Sequence, residues 1–146
     1  MMGTIADAVL AGGGSVIGVV PDGLFRGDQI HENLTELKRV GTMHERKALM
    51  SSLADGFIAM PGGIGTLEEL FETWTWSQLG IHGSPCGLLN LAGYFDELIA
   101  FVEGMVEREF VTHDTRRLLA VESDPQVLVE RLLASAAGAR GDFSRL

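Results

Sequence analysis

The chain has 146 residues, the length of one domain, and at 46% hydrophobic it can bury a sizeable core. Its net charge of −9, from 20 acidic against 11 basic residues with no basic cluster, excludes a nucleic-acid surface from the expectations. The single cysteine, Cys86, rules out an internal disulfide and fits a reducing cytoplasm, and no apolar run reaches the ~20 residues of a membrane span or has the form of a signal peptide.

Residues 1–10 (MMGTIADAVL) read as a helix ended by Gly12, Gly13 and Gly14. Residues 16–20 form a short apolar strand that Pro21 stops. The glycines from 12 to 18 have the look of a dinucleotide fingerprint, but they precede a strand instead of following one, so the motif lacks its context. Residues 22–36 are polar and expected to form a loop, with residues 37–40 a brief extended piece. Met43–Leu53 is the next helix. At about 100° per residue, Met43, Leu49, Met50 and Leu53 form one apolar stripe. Arg46 falls in the middle of that stripe, and Lys47 lies toward its edge. A guanidinium facing a core is costly unless an anion meets it, either a buried carboxylate in a structural role or an anionic ligand.

The stretch Met60-Pro61-Gly62-Gly63-Ile64-Gly65-Thr66-Leu67-Glu68-Glu69 follows a buried strand at residues 57–60. A strand, a glycine turn and a helix start aim free backbone N–H groups and the positive end of a helix at one point. Glycine is wanted there because a side chain would block a phosphate and forbid positive φ. A tight strand-to-helix connection without a ligand is the competing reading. The helix is expected over residues 66–79, with Leu67, Leu70, Phe71 and Trp74 on its inner face. Thr66 and Glu69 also fit a capping box, which would explain both without a substrate. Trp76, on the side of Glu69, reads as ordinary surface or as a contact with another subunit.

Residues 85–91 are a further buried strand on which Cys86 is a small core residue rather than a nucleophile. Residues 94–109 form an amphipathic helix that packs Phe95, Leu98, Ile99, Val102, Met105 and Val106 inward. Residues 111–117 are a connector and residues 118–121 a last strand. Ser123 and Asp124 offer caps for a final helix whose first turn holds Pro125 and which runs to about residue 137. Alternating strands and helices argue an α/β fold with a parallel sheet covered on both faces. One domain over residues 1–138 and a flexible tail over 139–146 are expected.

His31, His44, His82 and His113 show no ligand spacing, so no metal is expected, and no nucleophile elbow or Cys–His pair is present. What remains is a phosphate-sized glycine turn, Arg46 and Glu69. These are parts for holding a phosphorylated small molecule and stabilising charge on it.

The paired segments MHERK (43–47) and PGGIGTLEE (61–69) resemble the Lonely Guy family of cytokinin-activating phosphoribohydrolases, many of which carry an inherited "lysine decarboxylase" label. The similarity extends over GTIADAVLAGGGSVIGVVP before them and TWSQLGIHGSPCGLLNLAGYFDEL after them. It implies a Rossmann-like fold, a cytoplasmic homodimer without cofactor, and hydrolysis of the N-glycosidic bond of adenosine 5′-monophosphate or its N6-prenylated form. The products would be free base and ribose 5-phosphate. Position by position, Arg46 and Glu69 match the family's catalytic pair, and Gly62, Gly63, Gly65 and Thr66 would hold the 5′-phosphate. Ile64, Leu67 and Glu68 complete that substrate-binding run. Met43 and Lys47 would line the nucleotide site, Thr75 would border it, and Asp28 stands where members often have glutamate.

The resemblance also implies an N-terminally truncated domain. Met1-Met2-Gly3 matches the family just after an earlier glycine-rich loop, so the first strand, first helix, second strand and that loop are expected to be lacking, and the chain alone to be poorly stable. Two other classes compete. A nucleotide- or molybdenum-cofactor-binding protein of similar fold would keep the glycine turn without the catalysis. A pyridoxal-phosphate decarboxylase would need a lysine, and Lys47 beside Arg46 in so short a chain suits that poorly.

Overall fold

The computed structural model describes residues 2–23 and 31–136, so Asp28 and the tail at 139–146 lie outside the described residues. It comprises two compact units, Met1–Ser51 and Ser52–Leu146.

In the first unit, helix α1 (Met2–Ala11) is followed by strands β1 (Ile17–Pro21) and β2 (Glu36–Val40) and by helix α2 (Met43–Leu53). Helix α1 ends as its glycines predict. Gly13 at φ 79° takes the left-handed position, with Gly14 N–H donating to Val9 O at 2.9 Å and Gly13 N–H to Leu10 O at 3.0 Å. Strands β1 and β2 pair in parallel, Ile17 opposite Glu36 and Pro21 opposite Val40. Pro21 is therefore the last strand residue and not the one after it. The ladder continues past it through Asp22 N–H donating to Val40 O at 2.8 Å.

Helix α2 has the expected bounds but not the expected buried stripe. Met43 and Leu53 are exposed, Leu49 and Met50 half-buried, and Ser51 is the buried residue of the helix. Four apolar positions among charged neighbours are too thin a stripe to close over both ends.

The second unit is built on a parallel sheet of β3 (Phe57–Ala59), β4 (Cys86–Leu89) and β5 (Leu119–Glu122), in that spatial order. Helix α3 (Ile64–Gln78) follows β3. A 3-10 turn (Leu91–Gly93) and α4 (Asp96–Glu107) follow β4, and α6 (Pro125–Ala136) follows β5. The five-residue helix α5 (His113–Arg117) replaces the connector expected at 111–117. Thr112 nucleates it by accepting Thr115 N–H at 3.1 Å, a local cap that hydrophobic periodicity does not register.

The strand period of two assigns each residue to a face. Ala59, Cys86, Leu88 and Leu119 join Leu70 and Trp74 of α3 and Phe95 and Val102 around α4 in one cluster. Leu89 and Ala120, one residue along, meet Leu128 and Leu132 of α6 on the other side, with Met60 beside them. Helices thus cover both faces of this sheet. Gly87 lets α6 lie close: a Cβ there would stand 2.9 Å from a Leu132 methyl and 3.0 Å from one of Leu128. Trp74 buries its ring and satisfies its indole N–H on Thr115 O at 2.9 Å. Helix α6 begins as read, with Asp124 Oδ1 accepting from Gln126 N–H at 2.8 Å and Val127 N–H at 3.1 Å, and with Pro125 in the first turn.

Trp76 is 8% exposed, so it is neither surface variation nor a free subunit contact. No helix among the described residues is long and apolar enough to cross a membrane.

Candidate functional site

Met43, Arg46 and Lys47 lie in the first turns of α2, in the first unit. This helix start carries a complete capping box. Thr42 Oγ1 accepts Glu45 N–H at 3.1 Å, while Glu45 Oε2 accepts Thr42 N–H at 3.1 Å and Gly41 N–H at 2.7 Å. The box pins the backbone one residue before Arg46, whose own N–H donates to Thr42 O at 3.1 Å. The Arg46 side chain is half-buried and crosses to β1, where Nε donates to Val19 O at 3.1 Å. Its Nη1 lies 3.6 Å from Met43 Sδ, so these two residues are brought together. Nε on a carbonyl fixes one edge of the planar guanidinium.

Gly62 through Glu69 form the other group, in the second unit. Helix α3 starts two residues earlier than expected, with Gly63 as N-cap at φ −89°, ψ −160° and no side-chain cap. Thr66 N–H donates to Gly63 O at 3.1 Å, and Leu67 N–H to the same oxygen at 3.3 Å. Thr66 is therefore inside the helix with its N–H in use, and the capping box expected for Thr66 and Glu69 does not form. Glycine can open a helix nearly as well as a polar cap, so the Thr-x-x-Glu spacing marked the wrong start.

The helix start leaves the N–H groups of Gly63, Ile64 and Gly65 without an intrahelical acceptor, at the positive end of the dipole. The glycines serve space rather than positive φ. Gly63 has negative φ, and Gly62 and Gly65 are not among the described glycines with positive φ. A Cβ at Gly63 or Gly65 would enter open space, and one at Gly62 would collide with Thr66 Oγ1 and lie 3.1 Å from Thr66 Cβ. Ile64 is 88% exposed at the mouth of the turn, and Glu68 is exposed beside it.

Glu69 is half-buried and lies about one turn beyond Thr66 on the same helix face. Leu67 packs against the core cluster, and so belongs to the fold's inner side. Thr75 is nine residues beyond Thr66, about two and a half turns away on the opposite side of α3, and its hydroxyl donates to Phe71 O at 2.6 Å. The helix does not bring it to the turn. Tyr94 was not among the expected site residues, yet its hydroxyl donates to Gly62 O at 2.8 Å. The two are 32 residues apart, beyond the reach of any local motif.

Buried groups elsewhere are chemically quiet. Burial pushes the Cys86 thiol up to about 11, which keeps it protonated and unreactive. Burial lowers the His82 pKa below its ordinary 6.5, against hydrogen bonds to the backbone of Thr73 and Ser84 that raise it. Among the described residues no three His, Cys, Asp or Glu side chains group closely enough to hold a metal ion.

A parallel sheet flanked by helices, with a helix opening on an uncapped glycine turn at the end of a strand, defines an α/β protein of Rossmann-like fold. Comparison with known proteins narrows this. The family model described as "Possible lysine decarboxylase" matches residues 2–132. A probable cytokinin riboside 5′-monophosphate phosphoribohydrolase of Oryza sativa subsp. japonica is 51% identical over 82% of this chain and 48% of its own length. Two cytokinin riboside 5′-monophosphate phosphoribohydrolases of Arabidopsis thaliana are 46% identical over 90% of this chain and 62% of their length, and 44% identical over 98% and 67%. The chain belongs to this family, the Lonely Guy family, and spans between 48% and 67% of the length of these three relatives.

Proposed function

We propose that this chain takes part in hydrolysing the N-glycosidic bond of a nucleoside 5′-monophosphate, adenosine 5′-monophosphate or its N6-prenylated cytokinin form; its relatives are named as cytokinin riboside 5′-monophosphate phosphoribohydrolases. The observation that carries the reading is the uncapped start of α3, where the amides of Gly63, Ile64 and Gly65 lack an intrahelical acceptor and the two glycines on either side of Ile64 have open space where a Cβ would stand. These amides suit the dianionic 5′-phosphate, with Thr66 at their edge.

Water attacks C1′ of the ribose and its proton passes to solvent or to a carboxylate. The C1′–N bond breaks, the base leaves with the bonding pair and takes up a proton, and ribose 5-phosphate is released. Positive charge builds on the ribose as the bond lengthens, as in glycoside hydrolysis generally. Glu69 supplies the anion that stabilises this charge, holds the ribose hydroxyls or orients the water. Arg46, preset by its bond to Val19 O, offers a fork of donors for the phosphate or ribose oxygens. Met43 and Lys47 are proposed to line the nucleotide site, and Ile64 and Glu68 the mouth of the turn. A cytoplasmic homodimer completes the proposal.

Incubation with adenosine 5′-monophosphate and with isopentenyladenosine 5′-monophosphate, assayed for free base, tests the reading. Base release lost on Arg46→Ala or on Glu69→Ala supports it. Nucleotide binding without base release would make the protein a carrier instead of a hydrolase.

A further inference from the structure

We propose that Tyr94 is a positioning residue for the glycine turn: its hydroxyl, by holding the Gly62 carbonyl, sets the direction in which the Gly63 N–H meets the phosphate. The inference rests on the nucleotide reading above. Its physical basis is the planarity of the peptide group. No cis peptide occurs among the described residues, so the Gly62 C=O and the Gly63 N–H lie in one plane and point in opposite directions. A donor that fixes the carbonyl, here Tyr94 Oη at 2.8 Å, therefore fixes the amide on the far side.

The turn needs such a restraint. A peptide unit between two glycines has less steric restriction on its rotation than one flanked by any other residues. The side-chain contact at Gly62 comes from Thr66, whose hydroxyl stands where a Cβ would be. That contact limits the Cα position but leaves the peptide plane free to turn. Tyr94 supplies the missing constraint from the loop at the carboxyl end of β4, the rim of a parallel sheet where ligands characteristically bind.

The loop is itself braced. Asn90 Oδ1 accepts Phe95 N–H at 2.8 Å, and Asn90 Nδ2 donates to Asp96 Oδ1 at 2.7 Å. The Tyr94 ring meets the Phe95 ring edge-on at 4.8 Å, and Phe95 is anchored in the core cluster. Ala92 is held at φ 51°, a left-handed conformation that an L side chain keeps only where its surroundings enforce it. Tyr94 is 57% exposed, and a neutral hydrogen bond near solvent adds little to stability. A purely structural purpose would leave this hydroxyl nearly dispensable, so its value lies in aiming the turn.

The test compares the protein with Tyr94→Phe, following the amide resonances of Gly63, Ile64 and Gly65 during titration with inorganic phosphate, adenosine 5′-monophosphate and adenosine. The expected result is a Kd raised roughly five- to tenfold for phosphate and for the nucleotide, with adenosine binding and the thermal midpoint unchanged. Unchanged phosphate and nucleotide affinity in Tyr94→Phe would overturn the role of Tyr94 and leave the nucleotide reading standing. Amides that respond to neither ligand in the unaltered protein would overturn the nucleotide reading and this inference with it. Equal loss for all three ligands, or an unfolded variant, would make the hydroxyl structural and refute the proposal.

Discussion

Gly62 and Gly65 lie three residues apart in one turn, yet replacing each by alanine should move stability in opposite directions. At Gly62 the new Cβ meets Thr66 Oγ1 inside contact distance, with Thr66 Cβ at 3.1 Å and the Met60 carbonyl oxygen at 3.4 Å. The Thr66 hydroxyl can rotate away, but its Cβ belongs to the first turn of α3 and moves only with the helix. Overpacking of this kind costs about 1–2 kcal/mol. At Gly65 the methyl enters open space within an established helix, which gains about 0.5–1 kcal/mol over glycine. The two variants should then differ by about 1.5–3 kcal/mol, or roughly 3–12 °C in thermal midpoint for a chain of this size. Both place a methyl where the phosphate would approach, so base release from the nucleotide should fall about tenfold or more in each. Thermal unfolding by circular dichroism, paired with chromatographic assay of free base, reads both quantities. Gly65→Ala that is more stable and fully active would show that no phosphate approaches that amide. Gly62→Ala as stable as the parent would refute the packing of Thr66 against the turn.

Other outcomes follow from the same geometry. Glu45→Ala, which breaks the capping box at the start of α2, should cost about 1 kcal/mol in urea denaturation, whereas Glu69→Ala should lower turnover by about 10²–10³. Unchanged turnover in Glu69→Ala would leave Glu69 a structural role alone. For His82, the folded-state pKa is depressed by burial, so between that value and the ordinary 6.5 the unfolded chain binds a proton that the folded chain refuses. Stability should be unaffected by this group above pH 6.5 and decline as pH falls below it. His82→Phe should flatten that part of the denaturation–pH profile, and an unaltered slope would place the titration elsewhere. Cys86, with its thiol at about 11, should resist iodoacetamide in the native protein at pH 8 and react promptly in urea; rapid native labelling would contradict its burial.

Much of the scaffold was legible because it is written in short periods. Leu67, Leu70, Phe71 and Trp74 declared the inner face of α3, and the run around Cys86 declared a strand buried on both sides. Asp124 and Pro125 marked the last helix start directly. The errors have a common cause in signals that are locally ambiguous. Thr-x-x-Glu occurs at 42–45 and at 66–69, and only the first is a box, because Gly63 opened α3 before Thr66 was reached. Trp76 reads as outward on a helical wheel, but burial depends on what the wheel's far side meets. The same holds for the site. The glycine turn and its helix were visible as a string of residues, and so were Arg46 and Glu69 as candidates. The acceptor of Arg46 on β1 and the donor from Tyr94 were not, since both are made by the fold across 27 and 32 residues.

The hydrogen at Gly87 has a temporal consequence. Helix α6 fits against the sheet because nothing projects from that position, and it is the last described element of the chain. During synthesis, Leu89 emerges well before Leu128 and Leu132 can shield it, so that side of the sheet meets water until α6 follows. Released fragments ending near residue 122 should therefore be the ones that chaperones hold, and those extending past residue 136 the ones that they let go.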